Sequence, residues 1–63
     1  MLEQAILAEQ FQSLLSREQQ AMKMCAELAA RISDAALREQ VEQLLRDKQR
    51  HIRLAERLLE IVQ

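Results

Sequence analysis

The chain has 63 residues and contains neither glycine nor proline. Without proline, nothing in the sequence interrupts a helical hydrogen-bond ladder, and without glycine, strand turns and phosphate-cradling loops lack the residue they depend on. Ala, Leu, Glu, Gln, Arg and Lys dominate, and aromatic residues make up 2%. These are strong helix formers, so an all-α fold is expected.

Size sets the next constraint. Below roughly 70–80 residues a single core rarely supplies more than about 3–5 kcal/mol, so small domains are stapled by disulfides, metals or self-association. Cys25 has no second cysteine to pair with, and no Cys/His cluster offers a structural zinc site. Oligomerisation is the staple that remains. Nine basic residues against ten acidic ones give a formal charge of -1, which supplies no field for a nucleic acid or an acidic membrane. Apolar residues come in short pieces such as Ala5-Ile6-Leu7-Ala8, and Glu3 stands where a basic leader region would lie. Neither a transmembrane span nor a secretory signal is expected, and a cytoplasmic location follows as the default.

Helical periodicity predicts one unit over residues 1–63: a helix over 2–32, a turn at about 33–34, and a second helix over 35–62. Ser33 and Asp34 are the only adjacent pair of good N-cap residues, and Asp34 also suits the positive end of the second helix dipole. A single unbroken helix would reach about 90 Å at 1.5 Å per residue and would need an extended coiled coil. The antiparallel hairpin is the expected fold.

Counting in sevens gives three adjacent interior rows on the first helix: Phe11, Glu18, Cys25 and Ile32; Leu7, Leu14, Ala21 and Leu28; Ala8, Leu15, Met22 and Ala29. The second helix carries Leu37, Leu44, His51 and Leu58, then Val41, Lys48, Ala55 and Val62, flanked by Leu45, Ile52 and Leu59. Each stripe is wider than one partner helix can cover, so two hairpins are expected to dimerise into a four-helix bundle. Its core would hold Phe11, Leu14, Leu15, Cys25, Leu28, Leu44, Leu45, Ile52 and Leu58. Phe11 is an expected dimer anchor, Met22 fills space, Met24 rims the stripe, and Cys25 reads as a small buried apolar residue. Gln12, Gln19 and Glu27 on one helix, and Glu39, Arg46, Arg53 and Glu60 on the other, read as solvated surface.

Three residues break the apolar rows: Glu18, Lys48 and His51. If the chain reverses near Ser33, residues whose numbers sum to about 66 share a level, and Glu18 and Lys48 meet that condition. His51 lies one turn beyond Lys48 on the same face. A symmetric dimer would then contain two copies of each in one buried polar layer, and such groups are costly to bury unless paired, hydrogen-bonded or metal-bound.

The stretch Glu18-Gln19-Gln20-Ala21-Met22-Lys23, the turn Ile32-Ser33-Asp34-Ala35-Ala36-Leu37-Arg38, and Asp47 to Leu54 around His51 resemble half of a ferritin-like protein of the rubrerythrin and bacterioferritin kind. The resemblance covers about residues 11 to 62. In that fold each helix pair contributes a Glu and a Glu-x-x-His motif to a di-iron centre. The resemblance assigns Glu18 to the first-helix ligand and His51 to the motif histidine, and Lys48 stands where the motif glutamate belongs. It therefore implies a ferritin-like homodimer with a degenerate di-iron site, leaning away from an enzyme and toward a structural or interaction module.

Under that reading Glu18 and Lys48 form an ion pair, completed by His51, that fixes register and partner number, and no cofactor is expected. The alternative is one divalent ion, zinc or iron, per dimer, held by Glu18 and His51 of both chains. A third arrangement turns Asp47 inward in place of Lys48. The lone histidine has no serine or threonine beside it, Ser13 and Ser16 lying on the outer side of the first helix, so nucleophilic hydrolysis is not expected. The partner expected is the chain itself, as a dimer or a higher assembly. Nucleic acid is the less favoured alternative: Arg46, Arg50, Arg53 and Arg57 suggest a Rop-type RNA-binding hairpin dimer, but Glu56 and Glu60 interrupt them and no exposed aromatic offers a stacking platform.

Overall fold

Two helices account for nearly all of the described residues, 2–63 of the computed structural model: α1 (Leu2–Arg31) and α2 (Ala35–Val62). Met1, the first residue of the expected unit, lies outside them. The helices pack side by side as an antiparallel hairpin measuring 51 × 14 × 10 Å.

The reversal takes three residues and no left-handed one, since no described residue has a positive φ. Asp34 is the N-cap of α2, with extended backbone (φ -71°, ψ 120°). The Leu37 amide donates to Asp34 Oδ1 at 2.8 Å, which satisfies one of the free N–H groups of the first turn. Helix α1 stops at Arg31, one residue short of the expected Ile32. Just past that end, the Ile32 carbonyl accepts from Nε of Arg38 at 3.0 Å and from its Nη2 as well. An arginine of the next helix thus does the work that a glycine cap would otherwise do. At the far end Gln4 Nε2 donates to the Val62 carbonyl at 2.9 Å, closing the hairpin opposite its turn.

The three-row stripes separate once the helices are paired. On α1 the rows of Phe11 and of Leu15 are the better covered, facing α2, whereas Leu7, Leu14 and Leu28 of the third row stay exposed. On α2 the rows of Val41 and of Leu45 face α1, whereas Leu37, Leu44 and His51 of the remaining row are exposed and Leu58 is half-buried. Among the described residues the buried apolar core comprises Leu15, Ala55 and Leu59, with Ala8, Phe11, Ile52 and Val62 packed around it. It lies toward the open end of the hairpin. No helix among the described residues is long and apolar enough to cross a membrane.

Asp34→Ala removes the cap of α2 while leaving its packing intact. Urea unfolding should show a loss of about 1 kcal/mol; an unchanged midpoint would mean that Arg38 alone holds the turn.

Candidate functional site

Glu18, Lys48 and His51 meet midway along the hairpin. The meeting follows from an even register: Glu18 and Lys48 are in contact, as are Gln4 and Val62, and both pairs of residue numbers sum to 66. Glu18 extends from α1 toward α2, and Lys48 and His51, three residues apart, extend back to it from α2. Lys48 Nζ lies 3.3 Å from Glu18 Oε2, and His51 Nδ1 lies 3.5 Å from the same oxygen.

Coverage of the three side chains is graded. The side chain of Glu18 is 17% exposed and that of Lys48 24%, whereas His51 is 53% exposed and opens onto one face of the hairpin. Glu18 Oε2 itself is hidden from solvent and receives no directed hydrogen bond. The Lys48 ammonium lies within Coulomb reach of it and the His51 ring stands beside it, but neither makes a directed hydrogen bond to it, so the carboxylate is compensated in charge by Lys48 and under-satisfied in hydrogen bonding. Asp47 does not turn inward. It pairs with Arg50 on the surface at 2.7 Å and accepts from Gln43 at 3.3 Å, which leaves the interior position to Lys48.

An uncovered apolar groove extends to both sides of this trio. Toward the open end it is lined by Leu14, Leu54, Ala55 and Leu58 beside Glu18 and His51. Toward the turn it is lined by Ala21, Met24, Cys25, Leu28 and Leu44 beside Lys48, with Glu27 and Arg31 at the edge. These linings put the exposed leucines of both helices on the same side of the hairpin. Of the expected dimer-core residues, Leu15 is buried, Phe11, Cys25, Leu45, Ile52 and Leu58 are half-buried, and Leu14, Leu28 and Leu44 face outward. Met24 sits on the rim, 62% exposed. The sequence rows did not include Leu54 and Ile61, which are exposed on the same flank of α2; their spacing of seven residues is the signal that marks them.

A single chain offers a metal two donors, Glu18 and His51, and no group of three or more His, Cys, Asp or Glu residues occurs among the described residues. Zinc sites use three or four protein ligands. The separation of 3.5 Å between Oε2 and Nδ1 is close to the roughly 3.3 Å between two donors on one tetrahedral zinc. Lys48 approaches the same oxygen, and its ammonium opposes a divalent ion by several kcal/mol (~) even at an effective dielectric of about 20. The arginines of α2 lie elsewhere: Arg50, Arg53 and Arg57 border a shallow depression with Leu54, Arg46 donates to Gln43 at 2.7 Å, and Arg50 is held by Asp47. Comparison of the chain with protein families, with curated proteins and with solved structures found no match.

The two ion pairs differ in burial, and their removal should differ accordingly. Lys48→Ala strands a half-buried carboxylate and should cost about 1–3 kcal/mol in urea unfolding. Arg50→Ala, in an exposed pair, should cost no more than about 0.5 kcal/mol. Equal effects would show that Glu18 is solvated in solution.

Proposed function

We propose that this protein is a self-assembling structural or interaction module: two hairpins close groove to groove into a ferritin-like four-helix bundle in which the Glu18, Lys48 and His51 sets form one central polar layer. The observation that carries this reading is the apolar groove. Leu14, Leu28, Leu37, Leu44 and Leu54 are each exposed by two-fifths or more in the single hairpin, and an apolar face that runs along the whole of a small domain marks an interaction surface. The three-residue core fits the same reading, because a second hairpin would place the outward leucines in a common interior. In this bundle His51 is covered and Glu18 gains neighbours from the partner. The layer then sets register and partner number, since any axial slip would move charges against leucines.

Sedimentation equilibrium should give twice the 7.4 kDa of one chain, or a multiple of that dimer. Leu44→Glu is the sharper probe. On a monomer it alters a half-exposed surface residue and changes stability by about 0.5 kcal/mol or less; in the bundle it buries a charge, and it should dissociate the assembly and lower helicity together. A monomeric wild-type protein at micromolar concentration overturns the reading.

The hidden Glu18 Oε2, without a directed hydrogen bond and 3.5 Å from His51 Nδ1, favours a second reading in which Glu18 and His51 of both chains hold one zinc or iron ion per dimer. The donor set of two carboxylates and two imidazoles suits either metal, and Lys48 opposes it. Zinc titration by calorimetry should therefore show binding at least about tenfold tighter in Lys48→Glu than in the wild type, at one ion per dimer. No uptake by either protein removes the metal reading and leaves the structural one standing.

A further inference from the structure

If a second copy closes the groove, the charges along its rims bear on which way round that copy lies. Two symmetric arrangements close two grooves on each other. With the two-fold axis along the hairpin, both turns lie at the same end and α1 of one copy faces α2 of the other. With the axis across the hairpin, the turns lie at opposite ends, and each helix faces its own counterpart. We infer that the protein assembles with both turns at one end, held in that orientation by an ion pair between Arg17 of each copy and Asp47 of the other. This inference rests on the proposed assembly of two copies and deepens it.

Apolar layers do not separate the two arrangements. Leu14 and His51 share one level, Ala21 and Leu44 the next, because each of these pairs sums to about 65 on a register of 66. Both orientations fill these two central levels with one large and one smaller or polar side chain, and the outer levels of Leu7, Leu58, Leu28 and Leu37 with leucines alone. The charged rims do separate them. Met24 lines the groove on its α1 edge and Leu54 on its α2 edge. Arg17 lies seven residues before Met24, and Asp47 seven before Leu54, so each continues its own edge row. On the same register Arg17 and Asp47 differ in level by two residues, about 3 Å of rise.

With the turns together, the α1 edge of one copy lies along the α2 edge of the other, and Arg17 meets Asp47 twice per dimer. With the turns apart and the polar layers superposed, Arg17 meets the other Arg17 and Asp47 the other Asp47, and in the interior Glu18 approaches the other Glu18. Like charges at close quarters are unfavourable in both places. Arg17 has no ion-pair partner among the described residues, whereas Asp47 already keeps Arg50 and lies 39% exposed with room for a second cation. All nearest neighbours are antiparallel in either arrangement, so helix dipoles do not decide between them.

Spin labels at residue 33, introduced as Ser33→Cys with Cys25→Ala, read the orientation by dipolar spectroscopy. Turns at one end give a distance under about 25 Å, from helix spacings of 8–10 Å and label tethers. Turns at opposite ends give about 45 Å, twice the rise from the polar layer to the turn, and that result overturns the orientation while leaving the dimer intact. Sedimentation of the same labelled sample keeps the two questions apart, since a monomeric mass overturns the assembly and the orientation together. Charge reversal gives an independent reading: Arg17→Asp alone should raise the dimer dissociation constant about tenfold, and adding Asp47→Arg should restore it. With the turns apart, either reversal merely exchanges one like pair for another, and the double change would restore nothing.

Discussion

A helix in a two-helix hairpin has one neighbour, and this limit shapes the rest of the molecule. Two of the three interior rows on each helix can face that neighbour; the third cannot. The outcome is a hairpin with a thin seam, centred on Leu15, Ala55 and Leu59, and a line of leucines on one flank of each helix. The two flanks fall on the same side because the helices are antiparallel, and rows displaced in the same rotational sense from the seam then point the same way. The long groove is thus a geometric consequence of third rows on both helices. Had one helix carried its extra row on the other side, the chain would present two narrow stripes instead of one face.

The polar trio sits where this geometry makes it consequential. Glu18 is near the seam, Lys48 reaches it from the opposite helix, and His51 stands at the boundary between seam and groove. A carboxylate in that position loses much of its hydration, and two cationic or polar partners on one oxygen compensate its charge without meeting its full hydrogen-bonding capacity. Replacing such a layer with leucines would often stabilise a bundle, so its value is more naturally sought in specificity than in strength. The proposed bundle uses it in that sense: leucine layers tolerate axial slippage by a heptad, and one charged layer does not.

Much of this architecture is legible in the sequence because the chain is so regular. The absence of glycine and proline leaves Ser33-Asp34 as the evident break, and Asp34 is the cap that the structure shows. The contact between Glu18 and Lys48 follows from simple register counting, since two straight helices of equal rise keep a constant sum of residue numbers. Other features needed three dimensions. The turn is also closed by the side chain of Arg38 reaching the Ile32 carbonyl, a contact six residues away that periodicity does not encode. Nor does a heptad count say which of three rows faces the sister helix; in the structure the seam takes the rows with Ala8, Ala29 and Ala55 and leaves out the one with Leu7, Leu14 and Leu28. The unequal burial of Glu18, Lys48 and His51 follows from that choice, for the sequence places all three in interior rows without saying that His51 belongs to the row left uncovered.

Charge within the layer also bears on what the resemblance to ferritin-like proteins means. A pattern with one Glu on the first helix and Glu-x-x-His on the second gives each hairpin two carboxylates, and such a layer is stable when metal cations balance it. In this chain the residue three before His51 is Lys48, and its ammonium lies 3.3 Å from Glu18, so the two charges offset each other within one hairpin. An ammonium at that distance weakens the electrostatic attraction for a metal cation and balances the carboxylate without one. The balance is one of charge alone: Lys48 Nζ stands 3.3 Å from Glu18 Oε2 without a directed hydrogen bond, so that buried oxygen keeps an unmet acceptor.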